Sequence, residues 1–257
     1  MASTLKLGNG NWGVKEDSLL AYSDKNNNFL PFPFDFSRAS SATVVNKAGL
    51  IETVQSGISR IDFKDDANGA LLLEPQSTNL IPYSEDFSDA SWTKQAGTSV
   101  SLNSIVSPSG EMNGTEVTIG TNSNASLRAN NLVVINTENT FSVYAKKGVG
   151  STSLKLDVGD EGITTFTLTD QWQRFEVTGT PTIANREFVD IALNGNQGDT
   201  FYIWGAQVEQ QSYATSYIPT QGATSTRLQD IANNSGNATL INSEEGVLYA
   251  EISALAD

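Results

Sequence analysis

From Asn79 to Thr220 apolar and polar residues alternate along short runs. Phe141, Val143 and Ala145 interleave with Ser142, Tyr144 and Lys146. Leu154, Leu156 and Val158 interleave with Ser153, Lys155 and Asp157. The same holds for Phe166 and Leu168 among Thr165, Thr167 and Thr169, and for Phe175 and Val177 among Trp172, Arg174 and Glu176. Val189, Ile191 and Leu193 alternate with Phe188, Asp190 and Ala192. A strand turns successive side chains to opposite faces, so each run predicts a half-buried strand. Turn-forming clusters at 148–150, 159–162 and 194–199 separate the runs. Many short strands with no helical period between them predict an all-β sandwich or barrel. The one helix candidate is Ser225–Ala232.

The flanks differ in texture. Residues 34–78 carry short apolar pieces, Thr43–Val45, Leu50–Val54 and Ile58–Phe63, with Gly49, Gly57 and Gly69 as turns, and predict a lead-in of short strands and hairpins. Residues 1–33 hold Trp12, Leu19, Leu20, Phe29 and Phe32 in no consistent period. Such a segment has no face to bury on its own, so it predicts an irregular arm that orders against a partner. After the strand-rich region, 79–227, the chain turns Gly- and Asn-rich, and 228–257 reads as a linker ending in one strand, Gly246–Leu255. A lone strand is not a stable domain, so this one is expected to open a further domain.

Composition narrows the chemistry. With 29 acidic and 15 basic residues among 257, the formal charge is −14, which argues against nucleic acid or an anionic membrane as the main partner. The chain has no Cys and no His. That removes thiol nucleophiles, disulfides, Ser-His-Asp triads and zinc sites built on His or Cys. No apolar run approaches the ~20 residues of a membrane span, and Met1–Lys6 has no signal-peptide core. The expectation is a chain made in a cytoplasm.

Carboxylates are then the available acid–base groups. Asp62, Asp65 and Asp66 cluster, as do Asp157, Asp160 and Glu161, both in turn-like surroundings where Asp ordinarily serves backbone hydrogen bonds. Both clusters are read as solvated turns, so neither a catalytic residue nor a metal ligand set is assigned, and no cofactor is expected. Aromatic and polar residues opposite the aliphatic sets are the remaining candidates: Tyr144, Trp172, Arg174, Phe188 and Asp190. Rings of this kind stack on the apolar faces of sugars, or pack against a neighbouring subunit; both readings stay open. Gly205 is a candidate bulge after Trp204.

Three stretches together carry a resemblance: Leu71–Asn79 with Tyr83–Lys94, Thr140–Lys147 with Trp172–Phe175, and Tyr202–Glu209 with Ser212–Thr220. They resemble the carbohydrate-binding-module-like jelly roll of tail fibres and other appendages of tailed bacteriophages, over residues 71–227. Gly246–Leu255 looks like the start of the lectin-like domain that often follows in such proteins. The resemblance implies a jelly-roll β-sandwich and a structural, non-enzymatic virion appendage of the head or tail fibre type. It further implies other virion proteins as partners of the N-terminal arm, a homotrimer, and attachment to a host surface glycan. The structural calcium frequent in such modules has an acidic ligand on the last strand. This chain has Trp204-Gly205-Ala206 there, without an acid. The alternatives are a secreted bacterial carbohydrate-binding module and the non-catalytic front part of a depolymerase tailspike.

Overall fold

A computed structural model describes residues 35–233, except 66, 68, 122–124 and 151–152, together with three strands nearer the N-terminus. These three are β1 (Gly13–Lys15), β2 (Ser18–Ser23) and β3 (Phe29–Pro31), joined as an antiparallel sheet in the order β1-β2-β3. Part of the segment expected to be irregular is therefore strand. The rest of 1–34, and all of 234–257 with the expected strand Gly246–Leu255, lie outside the described residues. The described chain contains no α-helix, hence none long and apolar enough to cross a membrane.

The chain divides into two compact units. One runs from Ser77 to Thr226; the other combines the chain up to Gln76 with the chain from Arg227. The second is built from β4 (Asp35–Ser37), β5 (Ala42–Val45), β6 (Ile51–Val54), β7 (Arg60–Asp62) and β8 (Ala70–Leu72). β5 pairs with β6 and β7 with β8, as two antiparallel hairpins. Asn46 shapes the first hairpin turn by accepting the Ala48 and Leu50 amides on its side-chain oxygen. Ala42, Val44 and Ile51 are its buried apolar residues. So few leave room for an ionic core. Arg38, Arg60, Arg227, Glu74 and Asp230 have side chains no more than 1% exposed. Asp230 is the hub: it pairs with Arg38 Nη1 at 2.9 Å and with Arg60 Nη2, and accepts the Glu74 amide at 2.9 Å. Glu74 in turn pairs with Arg60 at 2.8 Å and with Arg227 at 3.4 Å.

This cluster corrects the reading of 225–233. Instead of a helix, Ser225–Ala232 contributes to two short strands, and the first residues of the expected linker return to the lead-in. They follow β9 (Ser77–Asn79), β10 (Trp92–Gln95), β11 (Ser99–Ile105), β12 (Gly114–Thr118), β13 (Ser126–Asn130), β14 (Asn139–Lys147), β15 (Ser153–Val158), β16 (Gly162–Thr167), β17 (Gln173–Gly179), β18 (Phe188–Asn194) and β19 (Thr200–Glu209). β20 (Ser225–Arg227) lies beside β9, and β21 (Ile231–Asn233) pairs with β4. A short polar segment has weak intrinsic preference, and tertiary partners decide its state. Thr78 and Thr226 meet hydroxyl to hydroxyl at 2.8 Å, so the first and last strands of the 77–226 unit run side by side.

The 77–226 unit is a jelly-roll sandwich of two antiparallel five-stranded sheets. One has the order β10-β13-β18-β15-β16, the other β11-β12-β19-β14-β17. The chain passes from one sheet to the other at most of its connections, as a jelly roll requires. The period-two alternation fills the space between the sheets. Leu127, Leu154, Leu156, Val158, Val189 and Ile191 face inward from the first, and Val117, Phe141, Val143, Phe201, Ile203 and Val208 from the second. Trp92 is buried at the rim of this core, 5.0 Å from the Phe87 ring, with its Nε1–H donated to Tyr83 O at 2.9 Å.

Candidate functional site

The outer face of the second sheet is partly covered by the chain's own segments. Gly205, at φ 64°, makes a bulge in β19: Ser142 faces Gln207 and Tyr144 faces Trp204, so β19 spends one residue more than β14. The bulge leaves Ile203, Ala206 and Val208 in the core while Trp204, Gln207 and Glu209 point outward. Beyond the bulge those outward groups are buried in a polar clasp. Asn79 accepts the Ile81 and Val208 amides on Oδ1 and donates Nδ2 to Ala206 O and Ile218 O. The Glu209 carboxylate accepts from Ser77 Oγ at 2.6 Å, the Thr215 amide at 2.9 Å and Gln211 Nε2 at 3.2 Å. Gln207 Oε1 takes the Ile218 amide. Tyr217 packs its ring against Trp204 at 4.6 Å and a tilt of 53°, donates its hydroxyl to Glu85 at 2.9 Å and meets Ser84 Oγ at 2.7 Å; burial holds its phenol pKa well above the usual range. Asn79, Trp204, Gln207, Glu209, Thr215 and Tyr217, which belong to the resembling stretches, therefore interlock here.

Beside the clasp lies a more open part of the same face. Tyr144 is directly opposite Arg174 on β17 and Trp204 on β19. Its ring meets the Trp204 ring edge-on at 5.6 Å, and the Arg174 guanidinium stands 5.5 Å from the ring centre. Arg174 donates Nη1 to Thr215 O at 2.6 Å and Nη2 to Ser142 Oγ at 2.9 Å. Trp172, just before β17, is half-buried and donates Nε1–H to Val106 O at 2.9 Å. Val106 follows β11 at the opposite edge of the sheet. In a flat sheet the two edges would stand about 19 Å apart, beyond the reach of one indole. The contact needs the sheet to curl and the 106–113 loop to fold over its outer face. Gly114 permits the approach: a Cβ there would stand 3.3 Å from Trp172 Cζ2 and 2.6 Å from Ile105 Cγ2. Tyr202 and Glu116 lie directly opposite each other on the same face, and burial, with the Glu116 carboxylate beside it, raises the Tyr202 pKa. Val106, bonded to Trp172, and Met112 in the same 106–113 loop are exposed apolar residues.

Phe188 and Asp190 are on the other sheet, on the outer face of β18, and do not join this group. Phe188 is only 3% exposed, with the Arg128 guanidinium 3.7 Å over its ring, so it offers no free face for stacking. Asp190 is engaged by Arg128 Nε at 3.0 Å and by Ser126 Oγ at 3.3 Å. Asp157, read as part of a solvated turn, is a buried strand residue directly opposite Asp190. Burial pushes its carboxyl up to about 6, aided by the charges of Asp160 and Asp190 and opposed by the Asp160 amide and Lys155. Asp160 and Glu161 do lie exposed in the β15–β16 turn. Asp62 is half-buried and accepts the Val45 amide, and burial raises its pKa. Asp86 shapes a turn by accepting the Ser88 amide. No group of three or more acidic side chains is arranged to hold a metal among the described residues.

No known protein family matches the chain, and no curated protein does. Among solved structures it is similar to the CBM22-1 xylan-binding domain from Paenibacillus barcinonensis Xyn10C, with 13% identity over 52% of this chain and 94% of that one, at a TM-score of 0.40. The tandem CBM22-1–CBM22-2 domain of the same protein gives 15% identity over 55% and 47% of the two chains, at a TM-score of 0.42. The enzymatically active domain of bacteriophage CBA120 tailspike protein 4 gives 8% identity over 51% of this chain and 21% of that one, at 0.34.

Proposed function

We propose that this protein attaches to a glycan through the outer face of the second sheet of its jelly roll, as a non-enzymatic appendage of a tailed-phage virion. The observation that carries the glycan reading is the grouping of Tyr144, Arg174 and half-exposed Trp172 on one curled face. Aromatic rings beside hydrogen-bonding side chains suit a sugar, whose apolar face stacks while its hydroxyls bond. The rings are fixed before a ligand arrives, Tyr144 by Trp204 and Trp172 by Val106, which lowers the ordering cost of binding. The virion reading is supported by the resembling stretches over 71–227, whose residues supply the buried clasp. In this reading the arm, 1–33, docks on the particle, and a homotrimer supplies the multivalency that weak single sites need.

The test is a glycan array probed with the full chain and with a Tyr144→Ala/Trp172→Ala double variant. Saturable binding to a bacterial surface polysaccharide, lost in the variant while its circular dichroism is unchanged, is the expected result. No glycan bound by the wild type, or equal binding by the variant, overturns the reading.

A further inference from the structure

The electrostatics of the same face point to the class of sugar. The chain has six arginines in a strongly acidic sequence. Arg38, Arg60, Arg128, Arg186 and Arg227 each pair with a carboxylate. Arg174 alone has none within salt-bridge distance among the described residues; its hydrogen bonds go to two neutral oxygens, Thr215 O and Ser142 Oγ. Its Nε is buried with no hydrogen-bond partner, and so is the Trp204 indole N–H in the same cross-strand row. Lys146, two residues along β14 from Tyr144 and on the same face, also has no carboxylate partner among the described residues. Of the acids on this face, Glu209 is held in the buried clasp by Ser77, Gln211 and Thr215, Glu116 stands directly opposite Tyr202, and Glu176 is exposed on the edge strand.

A half-buried guanidinium held in place by neutral acceptors keeps its full charge, and Nη1 and Nη2 each retain a second N–H for an outside acceptor, while Nε stays buried. In a chain of charge −14, with carboxylates to spare, five of six arginines found an internal partner, and the sixth stands beside the aromatic pair. We propose that this face recognises a carboxylate-bearing saccharide, with Arg174 binding the sugar carboxylate, Lys146 adding positive potential and Tyr144 and Trp172 contacting the ring. The inference rests on the glycan reading above and adds the anionic class to it.

Affinity electrophoresis of the full chain tests it, in gels containing polygalacturonate, alginate, hyaluronan or polysialic acid, each beside its carboxyl-reduced form. At least one native polymer should retard the chain, and carboxyl reduction should weaken that retardation about 10- to 100-fold, as expected for a charge-assisted hydrogen bond. Free galacturonate should compete and free galactose should not, a comparison that needs no variant. Arg174→Gln should bind native and reduced forms alike, and Arg174→Lys should fall between Gln and wild type. Equal retardation by native and reduced polymers, or retardation by neutral polymers alone, overturns the anionic class and leaves the glycan reading standing. Retardation by no acidic and no neutral polymer overturns both.

Discussion

Trp172 and Val106 flank opposite edge strands of one five-stranded sheet, yet the indole N–H of the first donates to the carbonyl of the second at 2.9 Å. That bond spans the sheet's outer face and ties the 106–113 loop to the start of β17. Trp172→Phe should keep the ring and lose the bond, loosening the loop with a small effect on stability, about 1 kcal/mol. Trp172→Ala should lose the binding surface as well. Hydrogen exchange of the 107–114 amides checks the first, since faster exchange there with an unchanged β14 is the expected pattern.

Gly114 makes the approach possible, because any Cβ would meet Ile105 Cγ2 at 2.6 Å. Gly114→Val should cost about 1–3 kcal/mol by overpacking and displace Trp172. Intrinsic fluorescence should report greater indole exposure, and an unchanged spectrum and melting temperature would show that the loop yields freely.

Asp230 is the hub of the ionic core in the unit that combines the lead-in with 227–233. Asp230→Ala leaves Arg38 and Arg60 buried without this carboxylate, which should cost about 3–5 kcal/mol. The 77–226 unit should keep its own melting transition. Limited proteolysis should therefore release a resistant fragment close to 77–226. Loss of both units together would show that they fold as one.

Acidity should act through Asp157. Its carboxyl is raised to about 6 in the folded protein by burial, with the Asp160 and Asp190 charges adding to it and Arg128 and Lys155 the nearby cations. Between the ordinary carboxyl value of 3.8 and its folded value the native state holds a proton that the unfolded chain releases. Stability from this group is therefore present in mild acid, is lost as pH rises through about 6, and stays lost above that. Thermal melts from pH 4 to 8 should show this loss in the wild type, confined to the acid side of about 6, and a flatter profile in Asp157→Asn, which should also be the more stable of the two at pH 8.

Removing residues 1–33 should leave the 77–226 sandwich folded with nearly unchanged thermal stability, since that unit is compact without them. If the arm docks on a virion as proposed, attachment to the particle should be lost, and co-purification of the truncated chain with virions would contradict the docking role.

What the sequence made legible is what local pattern controls. Phe141, Val143 and Ala145 alternate with Ser142, Tyr144 and Lys146, and the first set is buried as alternation requires. Gly205 marked a bulge because a residue at positive φ was needed where β19 changes register. The site was half legible. Tyr144, Trp172 and Arg174 could be placed opposite the aliphatic sets, but their meeting depends on the pairing of β14 with β17, which no local run encodes. Phe188 and Asp190 looked equivalent to them by alternation, and Arg128, on a strand more than 50 positions away, covers one and neutralises the other. The Asp230 hub was illegible for the same reason: its partner Arg38 lies 192 positions away.

The measurement closest to the central claim is hydrogen–deuterium exchange of the full chain with and without the polysaccharide that binds it. Protection is expected at 142–146, 172–174 and the 106–113 loop, with β13, β15 and β18 unchanged. Protection confined to 126–130 and 188–190, around Arg128 and Asp190, would place the ligand on the other sheet and contradict it.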